Sequence, residues 1–518
     1  MQLTNLVIKR TLRQLGLLLM AFAAGGAAQA QAPVQAPLLL SAGLTPRTLA
    51  QMLTVRNLEL AYGRGSLAVS VSLADAEAAL YEPVLFSSLK RSVIVRQRTT
   101  EEKTSNLFGP QDTVLNEYGR TAEAGIRQRI PLGGELSLSG RHAERSNNIL
   151  TKSNPTIPLE VNAGLVLSFK QPLWRGAGVA VTETDKRVAE IESRVAQWQY
   201  LQQLHKVLAE NMSLFWQTDI ASQAFRLREQ LLVSTQALAQ DAQVRIAAGK
   251  LAPRVNLEIE RVRLMREADM LRAVQTRDEL KLRLLSSLDL DATHLPHLEL
   301  EPQPFADAGP QSAEAALGMW APYQVALLRK RQGEIRLDFA DNQRRSAVDM
   351  VVSYTNSGMT NSSRRGAWDT VIDGTYPDWY VGLNIEVGAQ GNRRATAQWL
   401  AQVRRVEQSD TEIAAIRQVF LNDRQGKQMA QEQLQREAAL MRQEVQTREV
   451  LLEDERQRFN AGVGLLSTLL QSEQDLIESR IRLADAQGRL ETARVARLLA
   501  DGNLLASYGI DATLPSTP

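Results

Sequence analysis

Two long stretches of the chain carry apolar residues at heptad spacing, a pattern typical of helices that pack lengthwise against others. The stripe of the first stretch consists of Leu257, Leu264, Leu271 and Leu285. The second stretch has Leu469, Leu476, Leu483 and Leu490, preceded by a companion stripe of Ala438, Val445, Leu452 and Phe459. Residues 182–247 add a helical pattern without proline, which predicts a rod of about 100 Å.

Both heptad patterns are interrupted by the same short motif. Arg245-Ile-Ala-Ala-Gly249 interrupts the first pattern, and Arg458-Phe-Asn-Ala-Gly462 interrupts the second. Glycine permits the chain to reverse, and an arginine close by can bond the last carbonyl groups of the ending helix. Leu257 and Leu470 follow at matching offsets, so the sequence predicts an internal duplication of a helical hairpin.

Other segments alternate apolar and polar residues with a period of two, which indicates half-buried strands. The clearest are 84–97, 162–169, 348–355 and 379–387. Each is about ten residues long, the length that a tilted strand needs to cross a bilayer. A water-soluble sandwich would show the same alternation. The loop 356–377 between the last two strands is rich in small and polar residues and is predicted to be exposed.

One further pair of alternating segments has no counterpart in the second half of the chain. Thr121 to Ile130 and Glu135 to His142 are joined by Pro131-Leu-Gly-Gly134, which is typical of a tight hairpin turn. This hairpin either adds two strands to the sheet or stands outside it. Towards the N-terminus, Thr45 before Pro46 is a credible N-cap for a helix that reaches about Leu80.

The first residues predict export. Lys9, Arg10 and Arg13 precede an apolar run, and Ala28-Gln29-Ala30 supplies a small-x-small cleavage site, so residues 1–30 are interpreted as a signal peptide. The whole chain has 60 basic and 58 acidic residues. Without the cationic signal residues it is near neutral and lacks the basic excess of a nucleic-acid-binding protein. It contains no cysteine, which excludes disulfides, thiolate metal sites and a lipidated N-terminal cysteine.

The sequence carries no recognisable catalytic or cofactor motif, so we expect neither an enzyme nor a bound cofactor or metal. His294 and His297 lie close together, but in a Pro-rich connector without a cluster of further ligand types. No Gly-x-Ser-x-Gly nucleophile motif occurs. The stretch from Arg175 to Gly178 lacks the Lys-Ser/Thr of a phosphate-binding loop.

Five motifs in order resemble those of the TolC family of outer-membrane efflux proteins, over nearly the whole mature chain. Ser168 to Gly178 is similar to the Gln-Pro-Leu-x-Arg-Gly-x-Gly that closes the first strand pair in many members, and Trp379 to Arg393 is its second-copy equivalent. The stretches 57–60 and 75–83 resemble the opening helix of the family. The two Arg-x-x-x-Gly motifs resemble its periplasmic tips.

The resemblance implies an α+β membrane protein. In the family, four strands per protomer of a homotrimer form one twelve-stranded barrel, which continues into the periplasm as a helical tunnel. The corresponding domains here are a signal peptide (1–30), a first repeat (31–290), a connector (291–310), a second repeat (311–506) and a C-terminal tail (507–518). The implied function is a passive exit duct of a tripartite efflux or type I secretion system, placed in the outer membrane and extending into the periplasm.

The resemblance also assigns residues. The tips would dock a periplasmic adaptor (membrane fusion protein), which bridges to an inner-membrane pump; the matching positions are Arg245, Gly249, Lys250, Leu251, Arg458, Gly462, Val463 and Gly464. Some members narrow the tunnel with aspartates six and nine residues past the second tip glycine. Thr468 and Gln471 occupy those positions here, so this chain departs from that acidic gate. Glu473 and Glu258 are weaker candidates for an acidic ring, with surface solvation as the alternative.

A different class of function stays open at this point. A soluble periplasmic coiled-coil adaptor or scaffold would carry similar long helices, but its β-domains would be soluble and would not need several chains to close a barrel. Cargo also stays open, because drug, metal-ion and protein conduits of the family share these features.

Overall fold

The computed structural model describes residues 43–100, 113–153, 159–249, 252–303, 311–361, 365–388 and 391–510. The predicted signal peptide, Lys250 and Leu251 lie outside these ranges. The shorter helices are α1 (Pro46–Arg56), α2 (Leu58–Ala78), α3 (Asn148–Ser153), α4 (Val179–Thr182), α7 (Ala313–Met319), α8 (Ala321–Gln343), α9 (Gly366–Asp373) and α12 (Leu504–Ser507). The long helices are α5 (Thr184–Ala247), α6 (Arg254–Ser287), α10 (Arg393–Asn460) and α11 (Leu466–Ala500).

The opening helical stretch begins where the sequence predicts but is broken into two helices. Thr45 caps α1 in a capping box, with its hydroxyl accepting from the Thr48 amide and its amide donating to the Thr48 hydroxyl. Asn57 ends α1 and caps α2 by accepting from the Leu60 amide. Its amide nitrogen also donates to the carbonyl of Ser287 at 2.9 Å, which ties this break to the end of α6.

The strands form one antiparallel sheet in chain order. They are β1 (Val84–Gln97), β2 (Val114–Arg129), β3 (Glu135–Asn147), β4 (Glu160–Pro172), β5 (Ala347–Thr360) and β6 (Pro377–Glu386). The hairpin that the sequence left unassigned is β2 and β3, and it lies inside the sheet between β1 and β4. The sheet of one chain therefore has six strands, against the four that the family resemblance implies, because the hairpin adds two.

The sheet has one apolar and one polar face. One cross-strand row, with one residue from each strand, consists of Leu85, Ile126, Leu138, Leu167, Tyr354 and Trp379. The adjacent row on the opposite face consists of Val84, Arg127, Ser137, Ser168, Ser353 and Tyr380. The loop predicted between β5 and β6 is partly ordered as α9, whose Ala367 and Val371 pack on Val161 and Ala163 at one end of the apolar face.

The long helices lie side by side, with α5 packed against α2, α6, α8 and α11. The companion stripe of α10 is buried as predicted at Ala438, Val445 and Phe459. The leucine stripe predicted for α6 is wrong at Leu257, Leu264 and Leu271, which are 73%, 52% and 60% exposed within this chain, whereas Leu285 is buried as predicted. The stripe that α6 buries instead is Ile259, Val262, Arg266 and Ala273.

Across the described ranges, no helix is both long and apolar enough to span a membrane.

Candidate functional site

The tips of the two helical hairpins lie together. The Arg245 guanidinium near the first tip stacks over the ring of Phe459 near the second, 5.4 Å from its centroid. Beneath this contact is a cluster drawn from all four long helices: Ala242, Ile259, Val262, Phe459, Leu466, Leu469 and Leu470. The two motifs found far apart in the sequence thus form one end of a four-helix assembly.

The second tip is a tight turn whose geometry depends on two glycines. Gly462 has φ +79°, a conformation that glycine adopts without strain. The Arg458 carbonyl accepts from the amides of Val463 and Gly464 at 3.1 and 3.0 Å, so this helix end is closed by backbone bonds. A Cβ at Gly464 would lie 2.7 Å from the Phe459 nitrogen, which leaves no room for a side chain.

The surface of the second tip is apolar. Val463 is 80% exposed and Leu465 is 70% exposed, whereas the next residue, Leu466, is buried in the cluster below. These two apolar side chains project from a turn between long polar helices. They leave apolar surface in contact with water, which is unfavourable, and they do not contribute to this chain's core. They are the most distinctive feature of the described tips.

The first tip is similar as a turn. Gly249 has φ +70°, and its amide donates to the Ile246 carbonyl at 3.0 Å. The next two predicted docking residues, Lys250 and Leu251, lie outside the described residues. The preceding helix ends with an ion pair of 2.8 Å between Arg245 and Asp241.

The tip arginines differ from their expected capping role. Arg458 pairs with the carboxylates of Asp454 and Glu455 in the preceding turn, at 3.3 and 3.4 Å. Arg245 pairs with Asp241 and stacks on Phe459. Backbone amides supply the bonds that the sequence assigned to arginine, since the left-handed glycine already brings them into reach of the orphan carbonyls.

Of the constriction candidates, Thr468 and Gln471 are exposed on α11, and Gln471 donates to Asp475 at 2.8 Å. Glu473 is a correction, because it is 4% exposed and points into the helical assembly. It cannot form an acidic ring on a surface, nor is it solvated as the alternative proposed. Glu258 pairs with Arg254 at 3.5 Å on the surface of α6.

The partner of Glu473 is a buried arginine that the sequence did not single out. The Arg266 guanidinium lies 3.3 Å from the Glu473 carboxylate and donates to the Leu470 carbonyl at 2.9 Å and to the Thr235 hydroxyl. Ser234 donates to the other carboxylate oxygen at 3.0 Å. Desolvation lowers the pKa of Arg266, and the charge of Glu473 opposes that shift. The detectable signal was the i, i+3, i+7 spacing of Ile259, Val262 and Arg266, which places the arginine on an apolar stripe.

A ladder of ion pairs joins α10 to α11 above the tip. Its rungs are Glu437 with Arg489, Glu444 with Arg482, Arg448 with Asp475 and Glu449 with Arg480, at 2.6, 2.7, 2.7 and 2.7 Å. One side of the charged face of α10 is thus paired with α11.

In the part of the chain that the structure describes, no group of three or more histidine, aspartate or glutamate side chains is placed to hold a metal ion. His294 and His297 lie in a short 3₁₀ helix, Ala292–His297.

Comparisons by sequence and by structure differ in outcome. No family model and no curated protein matches the sequence. Among solved structures, the chain is similar to the outer-membrane channel OprN (13% identity, TM-score 0.64), over 88% of this chain and 90% of that one. It is also similar to the outer membrane protein VceC of Vibrio cholerae (13%, TM-score 0.62, 88% and 96% covered). The Campylobacter jejuni outer membrane channel CmeC matches at 10% identity and a TM-score of 0.65, with 90% and 87% covered.

All three are outer-membrane proteins, and two are named as channels. The matches include both the sheet and the long helices, since they cover nearly nine-tenths of this chain. At these identities the likeness concerns the fold, and the chain has the TolC-like fold of outer-membrane channels.

Proposed function

We propose that this protein is an outer-membrane exit duct that passively conducts substrate delivered by a pump and adaptor complex. The observation that carries the proposal is a two-faced sheet continuous with long helices. Its apolar face presents residues such as Leu85, Leu383 and Ile385 at 80%, 61% and 65% exposure. Its polar face would line a water-filled lumen.

The sheet would need further copies of the chain to span a bilayer. β1 and β6 are its two edges, and their unpaired backbone groups would be costly in lipid. Closure into a barrel removes both edges, and the family resemblance favours a homotrimer. A signal peptide at 1–30, an outer-membrane location and helices that extend into the periplasm belong to the same proposal.

The tips would dock the periplasmic adaptor, which connects to an inner-membrane pump. Val463 supplies the exposed apolar contact, together with its neighbour Leu465, while Gly249, Gly462 and Gly464 set the turns. Arg245 and Arg458 would contribute charged groups beside the apolar contact, with Lys250 and Leu251 belonging to the same docking surface. Thr468 and Gln471 would line the narrow end of the duct without an acidic ring. The soluble adaptor alternative is not favoured by the matched structures, which are outer-membrane proteins.

The first test is reconstitution of the purified full chain in planar lipid bilayers, together with cell fractionation. We expect trimers in the outer-membrane fraction and discrete conductance steps. A mature protein that stays monomeric in the aqueous fraction without detergent would overturn the channel function.

Docking is tested by Val463→Glu in the native host. This change adds a charge to an exposed apolar surface without disturbing a turn glycine, so trimers should remain while export and adaptor co-purification are lost. Val450→Glu is the matched control, because Val450 is 70% exposed on α10 away from the tip. Gly462→Glu should also abolish export, with added strain at φ +79°. Normal export by Val463→Glu and Gly462→Glu would remove the docking role.

A further inference from the structure

The β2–β3 hairpin is an integral part of the sheet. Along β2, Ala122 is paired with Leu89 of β1 on one side and with His142 of β3 on the other. His142 is paired in turn with Ala163 of β4. The hairpin therefore separates β1 from β4, which would otherwise be the adjacent strands of a four-stranded sheet.

The hairpin continues the apolar face of the sheet near its base, whereas Arg120, His142 and Glu144 lie on the same face nearer the loop side. Ile126 and Leu138 lie in the apolar row between Leu85 and Leu167. Because side chains alternate between faces, a hairpin shifted by one residue would put these apolar groups on the polar side. Near the base of the sheet, the register of the hairpin thus suits a membrane-facing wall.

Side chains and backbone fix the hairpin at its base and along its polar face. The Ser137 and Ser168 hydroxyls are 2.6 Å apart, which joins β3 to β4. The Leu132 carbonyl in the turn accepts from the Gly178 amide at 3.1 Å and from the Gln171 side chain at 3.0 Å. A Cβ on Gly133 would lie 2.4 Å from the Gly176 carbonyl oxygen, so the turn fits closely against the segment that leads into α4.

Six strands per chain also permit regular closure. Since every pair is antiparallel, β1 and β6 run in opposite directions, and the β6 edge of one copy can pair antiparallel with the β1 edge of the next. Three copies then supply eighteen strands. With strands about 4.8 Å apart and tilted by about 40°, the barrel is about 36 Å across between backbones, against about 24 Å for twelve strands.

We propose, resting on the proposed function, that the β2–β3 hairpin widens the barrel to eighteen strands. The barrel end of the duct then admits hydrophilic solutes of larger cross-section than the barrel of a four-strand protomer would. The polar row that the hairpin adds to the lumen, including Arg127 and Ser137, suits hydrated cargo.

The first experiment compares the full chain with a variant that lacks residues 114–147. Both cut ends lie on the loop side of the sheet, so β1 and β4 can then pair directly and antiparallel. In planar bilayers, with polyethylene glycols added on the loop side of the sheet, we expect the deletion to exclude polymers that enter the full-length barrel, because the barrel area falls about twofold. Equal exclusion of these polymers by the two proteins would overturn the widened barrel.

A second experiment covers the case in which the deletion variant does not fold. The chain has no cysteine, so single cysteines report alone. Thr121→Cys lies on the polar face of β2, because Thr121 has the same alternation as Arg127, and Ala124→Cys lies on the apolar face, because Ala124 has the same alternation as Ile126. A charged thiol reagent should modify Thr121→Cys and reduce conductance, and should leave Ala124→Cys protected in lipid.

The outcomes separate the two proposals. If the unmodified full chain gives no conductance, the exit-duct function itself fails. If it conducts, but both cysteines react alike and conductance is unchanged, the hairpin lies outside the pore wall and only the widened barrel fails.

Discussion

Phe215 in the first hairpin and Gln428 in the second occupy matching positions, because each lies the same number of residues before its tip glycine, Gly249 or Gly462. Phe215 is fully buried and packs edge-on against Trp216 at 5.5 Å, whereas Gln428 is exposed and donates to Glu432. The contrast extends along the helices, because α5 buries 18 of its 64 residues and α10 buries 5 of 68.

The difference in burial between α5 and α10 arises from the helices that pack against them and not from their tip turns. α5 is packed against α2, α6, α8 and α11, so apolar residues are buried around much of its surface. α10 packs mainly against α8 and α11 and leaves a wide polar face. Two hairpins with similar tip turns are thus packed differently: α5 lies at the centre of the helical assembly, and α10 leaves most of its surface exposed within this chain.

The largest expected effect is at the buried position. Phe215→Ala removes a fully buried ring and leaves a cavity, so we expect a loss of about 3–5 kcal/mol in the free energy of unfolding. The matched control is Gln428→Ala, which should change stability little. Denaturant unfolding in detergent, followed by helical circular dichroism, measures both. Similar losses for the two variants would contradict the assigned roles of α5 and α10.

The second comparison involves a matched pair of glutamates. Glu260 and Glu473 lie equally far past their tip glycines, but Glu260 pairs with Arg263 on the surface at 2.8 Å, and Glu473 is buried against Arg266. Glu473→Gln would leave the Arg266 charge buried without a carboxylate and should cost about 3 kcal/mol. Glu260→Gln should have little effect.

The same unfolding measurement applies to this pair, and Arg266→Met with Glu473→Met provides a second check. Replacing both members with apolar residues removes the uncompensated charge, so the double variant should be more stable than Glu473→Gln. If the double variant is no better than the single one, burial of an unpaired charge is not the source of the loss.

The sequence predicted the features that depend on residues close together in the chain. The Thr45 cap, the reversal at Gly249 and Gly462 and the buried stripe through Ala438 and Val445 each depend on neighbouring residues or a single helix face. The alternation of residues likewise identified the strands of the sheet.

What the sequence could not give depends on contacts between distant segments. The leucines at 257, 264 and 271 have heptad spacing, but α5 and α11 meet the neighbouring stripe that contains Ile259 and Arg266. The 121–142 hairpin needed its partners β1 and β4 before it could be placed in the sheet. Glu473 looked like a surface acid because its buried partner is about 200 residues away in the chain.

The smallest expected effect concerns the exposed ion pairs, which differ between the two hairpins. The exposed ion pairs of α6, such as Arg263 with Glu260 and Glu267, lie within one helix, whereas the exposed pairs between α10 and α11 join two helices. Each is exposed and worth less than about 1 kcal/mol, so Glu437→Gln should lower stability slightly at low salt and hardly at all at high salt. Hydrogen exchange at low and high ionic strength should show salt-dependent protection in α10 and α11 and little change in the buried half of α5. Equal salt sensitivity of both regions would mean that charge pairing does not distinguish the outer hairpin from the central one.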